Sequence, residues 1–297
     1  MNEFVDQFGR RWTYDVEGTG PVAIFLHGVG ASRAAWRDIA KRLASERTCV
    51  VLDVPGFGLG HAARSPVLGE MAFGLDHLIE SVTVERPLSK SARGVDVVGH
   101  SLGATLALTY GYLFPDSTRS LTLIAPAGFG PEVNPLLFAI SRPTGLRLLS
   151  LLYRPAASQM IERMAGAYAL SAFGKRRRTQ EAMLTYKALA DPSNRRSLSD
   201  VAGWVLSQNT PDQRAVMAAL SLSRPILVIW GRRDQVLPAW QSAELLKAHP
   251  HALISIMPDE AHTPHRSNPE GTATHIRRFW GHLSTKPAAS PQVESAT

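Results

Sequence analysis

Six short runs of β-branched and leucine-like side chains punctuate the chain: Val22–Leu26, Cys49–Leu52, Val95–Val98, Leu121–Ile124, Ile226–Trp230 and Leu253–Met257. Most place apolar residues at successive positions rather than at every second one, the pattern of strands buried on both faces. Between them lie longer stretches of helical character: Ala34–Leu43, Gly74–Val82, Thr105–Leu113 and Ala239–Ala248. Strands and helices alternating in this way predict an α/β fold, a mostly parallel central sheet covered by helices on both faces. Ahead of it, Phe4-Val5-Asp6 and Trp12-Thr13-Tyr14 flank Gly9 and predict an antiparallel hairpin. A last helix is expected through Thr272 to His282.

The stretch between Ile124 and Ile226 is far too long for one crossover helix, so it predicts an inserted helical cap over residues 128–223. Phe138, Leu146, Leu148, Leu149, Leu151, Leu152 and Tyr153 make the front of this insertion apolar, and Met160, Met164 and Met183 add adaptable side chains. Most of these should pack the cap against the core, and a few should line a pocket. The core then comprises residues 1–127 and 224–283, and residues 284–297 have the composition of a disordered tail.

Composition narrows the picture. With 297 residues and 44% hydrophobic content the chain is long enough for one large core with an insertion. No run approaches the roughly eighteen continuous apolar residues of a membrane span. The start, Met1-Asn2-Glu3-Phe4, lacks the basic and apolar regions of a signal peptide, and the single cysteine, Cys49, cannot form an internal disulfide. Both features lead to the expectation of a cytoplasmic protein. The net charge of +7 raises the question of nucleic acid. Its basic residues are mostly dispersed, and the one dense cluster, Lys175-Arg176-Arg177-Arg178, has no interleaved aromatic platform, which argues against that partner.

Candidate chemistry centres on Gly99-His100-Ser101-Leu102-Gly103, set between the run ending at Val98 and the helix that follows. This is a serine on a sharp strand-to-helix turn, with glycines two residues to either side where a Cβ would collide with neighbouring backbone. Such a turn exposes the Ser101 hydroxyl and leaves the Leu102 N–H unpaired at a helix start. After the run ending at Leu26, His27-Gly28-Val29-Gly30 must bend sharply and turn the Val29 N–H toward the same space. Val29 and Leu102 would together form an oxyanion hole, and His27 reads as a brace for that loop. A third fragment ends the run Ile226–Trp230 and carries Asp234, at the carboxyl end of a strand where open α/β sheets place ligands. Asp234 could instead cap a helix or pair with Arg232 or Arg233. The last, Pro258-Asp259-Glu260-Ala261-His262, puts a histidine after the final strand. Its rival His265 lies at the start of a following helix, so His262 is the expected general base. No third residue stands at metal-ligand spacing to either histidine.

The order Ser101, Asp234, His262 resembles that of the α/β-hydrolase superfamily. The similarity runs from about Phe4 to His282 and also includes Asp53-Val54-Pro55-Gly56-Phe57-Gly58, whose acid looks like a loop brace. It implies a serine hydrolase that cleaves carboxylic esters of small to medium acyl chain through an acyl-enzyme, with no metal or organic cofactor and a small apolar ester as substrate. Epoxide hydrolases and haloalkane dehalogenases carry an aspartate at the turn, so Ser101 weighs against them. Carbon–carbon hydrolases of aromatic ring-fission products tend to carry Asn-Ser-Met-Gly-Gly there and a Trp after the base. This chain has His100-Ser101-Leu102-Gly103-Ala104 and Thr263, and that class stands as the alternative. Cofactor-free haloperoxidase or perhydrolase chemistry uses the same triad and is a further alternative. A non-enzymatic binding role is disfavoured because all three triad members are present.

Overall fold

The computed structural model describes residues 1–57, 67–85, 94–130, 138–139, 141–170 and 224–285, with isolated positions between 183 and 203. Its strands are β1 (Asn2–Val5), β2 (Arg11–Glu17), β3 (Val22–Leu26), β4 (Thr48–Asp53), β5 (Val95–His100), β6 (Thr118–Ile124), β7 (Ile226–Gly231) and β8 (Leu253–Met257). They form one sheet in the order β1-β2-β4-β3-β5-β6-β7-β8. β1 and β2 pair antiparallel, β2 joins β4 antiparallel, and every later pairing is parallel. The predicted α/β fold with a mostly parallel sheet is therefore the one observed.

Alternation along each strand explains why both faces are covered. In β3, Val22, Ile24 and Leu26 join one apolar layer, and Ala23 and Phe25 join the other. The first layer is closed by α2 (Leu68–Glu85) and α3 (Leu102–Leu113) through Leu75, Leu78, Leu106 and Tyr110. The second is closed by α1 (Arg37–Leu43) and α8 (Pro269–Thr285) through Ile39, Leu43, Ile276 and Phe279. Cys49 is buried in this second layer, where desolvation pushes its thiol up to about 12.

Several boundaries differ from expectation, among them the starts of α2 at Leu68, of α3 at Leu102 and of β6 at Thr118, and three have identifiable reasons. Asp6 leaves the first strand because its carboxylate accepts the Phe8 and Arg10 N–H groups and the Trp12 indole, closing the hairpin turn. The helix expected from Ala34 opens as a 3₁₀ turn, Arg33–Trp36, before α1. The last helix runs from Pro269 to Thr285, so residues 284 and 285 belong to α8 rather than to the tail, and residues 286–297 lie outside those described.

Between β6 and β7, two further helices are described, α4 (Pro143–Leu151) and α5 (Pro155–Leu170). Leu149 and Tyr153 lean on the core, and Leu189 and Leu198 are buried in it. The Tyr153 ring stacks on Tyr186 at 4.6 Å with the Arg195 guanidinium 4.7 Å from it. Phe138, Leu148, Leu151, Leu152, Met160 and Met164, expected mostly to pack inward, are instead exposed. On α4 this follows from helical phase: Leu146 and Leu149 form the inner stripe, and Leu148 and Leu151 fall opposite. Of the expected cap, Met183 is half-buried and most of the remainder lies outside the described residues. A helix labelled α6 (Gln241–Ala248) separates β7 from β8, and a one-turn helix, α7 (Pro264–Ser267), precedes α8. No described helix is long and apolar enough to cross a membrane.

Candidate active site

The carboxyl ends of β5, β7 and β8 meet on one edge of the sheet, and each delivers one residue of the expected constellation. Ser101 separates β5 from α3 with φ 53° and ψ −118°, a left-handed conformation that is unusual for a side chain with a Cβ. Its N–H donates to the Ile124 carbonyl at 2.9 Å, and its own carbonyl accepts from Ala104 and Thr105 as α3 begins. The glycines around it are required by close approach. A Cβ on Gly99 would land on the Gly103 carbonyl, and one on Gly103 would land on the Leu26 carbonyl at the end of β3.

Asp234 follows β7 with its side chain wholly buried. One carboxylate oxygen accepts the Val236 and Leu237 N–H groups at 2.8 and 2.9 Å, and the other accepts the Trp230 indole N–H at 3.1 Å. That second oxygen also takes the His262 Nδ1–H at 2.8 Å. Four donors occupy the acceptor sites of a carboxylate. Arg233 pairs with Asp259 at 2.8 Å rather than with Asp234. The imidazole held at Nδ1 keeps Nε2 for another partner. Ser101 and His262 are not hydrogen-bonded to each other among the described residues; such contacts commonly tighten only when substrate is bound.

His265, the rival base, is buried at 1% exposure and stacks between Trp36 and His100, at ring separations of 4.4 and 4.5 Å. Desolvation, followed by the Arg266 charge, holds it well below the ordinary histidine range. Glu260 is engaged by the Ser267 hydroxyl. His27 is fully buried; its Nδ1–H donates to the Gly28 carbonyl at 2.8 Å and its Nε2 accepts the Val54 N–H at 3.0 Å. Burial lowers its proton affinity, so it braces its loop as a neutral ring. Asp53 ties the same region together, accepting the Arg33 N–H at 2.6 Å and the Thr13 hydroxyl at 2.8 Å. Among the described residues, neither the Val29 nor the Leu102 N–H has an acceptor. No described group of His, Cys, Asp and Glu could hold a metal ion.

Two participants escaped the sequence. The Trp230 indole steadies the acid from four residues upstream, where its only signal is an aromatic ending a buried strand. His100 donates from Nε2 to the His262 carbonyl at 2.8 Å, and its one signal is its place beside the serine.

A profile of the alpha/beta hydrolase fold matches residues 21–269. A pimeloyl-[acyl-carrier protein] methyl ester esterase of Aeromonas hydrophila is 26% identical over 277 residues, covering 89% of this chain and 97% of that protein. An uncharacterized protein of Mycobacterium tuberculosis is 26% identical over 299 residues, covering 98% and 84% respectively. Among solved structures, a thermophilic esterase from Thermogutta terrifontis superimposes with a TM-score of 0.70 at 21% identity, over 96% of this chain and 99% of that one. With the profile spanning most of the sheet and every strand end just described, the chain belongs to the α/β-hydrolase fold family.

Proposed function

We propose that the protein is a serine hydrolase that cleaves carboxylic esters of small to medium acyl chain, with Ser101 as nucleophile, His262 as general base and Asp234 as its orienting acid. The observation that carries this reading is the His262 Nδ1 to Asp234 contact of 2.8 Å, with the His262 carbonyl tied at 2.8 Å to His100, the residue before a serine held at φ 53°. In the reaction the Ser101 Oγ attacks the ester carbonyl carbon while His262 Nε2 takes the hydroxyl proton. The carbonyl oxygen becomes an oxyanion received by the Val29 and Leu102 N–H groups. Collapse breaks the bond to the alkoxy group, which leaves with the proton from His262. Water, deprotonated by the same imidazole, then releases the acid and restores Ser101.

The substrate is a small apolar ester. Support for an ester comes from the methyl ester esterase among the relatives, and support for an apolar pocket from Leu149 and Tyr153, which lean on the core while Phe138, Leu148, Leu151 and Leu152 are exposed. Each methylene accommodated in an apolar pocket contributes up to about 0.8 kcal/mol, roughly fourfold in specificity. A series of p-nitrophenyl esters should therefore rise in kcat/KM from acetate toward butyrate or hexanoate and then fall. A continuous rise to long chains with a jump above the substrate's solubility limit would assign the protein to interfacial lipases instead. Turnover of a ring-fission diketone far above any ester would assign it to carbon–carbon hydrolases. Ser101→Ala should lower ester turnover by about 10⁵-fold with the fold retained, and near-normal turnover in that variant would remove Ser101 from the mechanism.

A further inference from the structure

We infer that His100 is the positioning residue that locks the nucleophile turn, the base loop and the oxyanion loop into one unit; this rests on the hydrolase reading above. His100 ends β5 and is the residue immediately before Ser101, with 5% exposure. Its Nε2 lies 2.8 Å from the His262 carbonyl oxygen. A carbonyl can only accept, so the hydrogen sits on Nε2 and the tautomer is fixed, with Nδ1 bare. On that bare side lies the oxyanion loop: a Cβ on Gly28 would come 2.8 Å from His100 Nδ1 and 3.0 Å from the Ser101 Cβ. The ring is clamped on its remaining sides by His262 at 4.7 Å and by His265 at 4.5 Å, with Trp36 continuing the stack.

One side chain thus touches all three loops that the chemistry requires. Asp234 fixes the His262 ring through Nδ1. His100 fixes the His262 main chain through its carbonyl. Two anchors, one on the ring and one on the backbone, define where Nε2 points relative to Ser101. Burial, followed by the nearby His265 and His262 rings, disfavours a proton on His100 and keeps it a neutral donor. Loss of the backbone anchor should let the loop from Asp259 to Thr263 shift, and a displacement near 1 Å at a reacting group costs about 10²-fold in rate.

The test separates the donor from the ring. His100→Phe keeps an aromatic ring in the stack and removes the donor. His100→Gln removes the ring and places an amide N–H near the former Nε2. The expected result is that His100→Phe lowers kcat by about 10²-fold with KM within roughly threefold, and that His100→Gln stays within about tenfold of wild type. The second-order rate of Ser101 labelling by a fluorophosphonate should follow the same order. The low-field proton resonance of His262 Nδ1–H should persist in wild type and His100→Gln and be lost or broadened in His100→Phe. Equal activity in wild type and His100→Phe, or a greater loss in His100→Gln, would overturn the proposal. If His100→Phe does not fold, His100→Gln decides alone: retention supports the proposal and a 10²-fold loss overturns it. Should wild type neither hydrolyse esters nor accept the label, the hydrolase reading fails, and the His262 resonance still reports whether His100 holds the base loop.

Discussion

Asp234 has no capacity to spare. Its two oxygens receive the Val236 and Leu237 N–H groups on one side and the Trp230 indole and His262 imidazole on the other. Asp234→Asn must turn an amide NH₂ toward one of those donor pairs, so it either loosens the turn or reverses the histidine tautomer. Ester kcat should fall by about 10⁴-fold in this variant. His262→Ala should cost about 10⁵-fold. Glu260→Ala should leave most of the activity, because its carboxylate serves Ser267. His265→Ala should act on stability more than on rate, lowering it by about 3 kcal/mol in urea unfolding as a large-to-small core truncation. A larger rate loss in His265→Ala than in His262→Ala would exchange their roles.

At the scale of elements, close packing of backbone on backbone sets the turn geometry. Gly103 meets the Leu26 carbonyl, and that contact lets α3 start directly against the end of β3. Gly103→Ala should destabilise the protein by about 3 kcal/mol in chemical denaturation. Gly281→Ala, on an exposed turn of α8 with nothing within 4 Å of the added Cβ, should instead stabilise by up to about 1 kcal/mol. Equal effects at the two positions would remove the packing argument. These elements also show what sequence can and cannot disclose. β3, β5 and β7 were legible because strands buried on both faces leave dense apolar runs. Glycines around Ser101 announced the turn by their spacing. Asp6 reads as strand in the sequence because its turn-closing role depends on the N–H groups of Phe8 and Arg10, and nothing in a strand-like run marks that local competition. The His100 to His262 contact joins residues 162 positions apart, and a histidine inside the turn motif carries no sign of which carbonyl it will reach. His265 was legible as a candidate only because it is a histidine near the base, whereas its burial against Trp36 is a tertiary fact.

Across the whole molecule, buried neutral histidines link folding to pH. His27, His100 and His265 are each held below the ordinary value of 6.5, with desolvation as the first cause in every case. The unfolded chain takes up those protons as pH falls through about 6.5, and the native protein does not, so stability is full above that value and declines below it. Each such histidine contributes a slope of up to about 1.4 kcal/mol per pH unit until its own folded value is reached. Urea midpoints should therefore drop steeply between neutral pH and mildly acidic pH, and His265→Phe should flatten the slope by up to one proton. A flat profile over that range would contradict the burial of these rings as neutral groups.

In the proposed mechanism turnover passes through an acyl group on one particular oxygen, that of Ser101. Rapid acid quenching of the protein during turnover of p-nitrophenyl butyrate, followed by peptide mass mapping, reads that intermediate directly. Wild type should show a butyryl adduct on the peptide containing Ser101, and Ser101→Ala should show none. An acyl group on any other residue, or full turnover by Ser101→Ala, would contradict that mechanism.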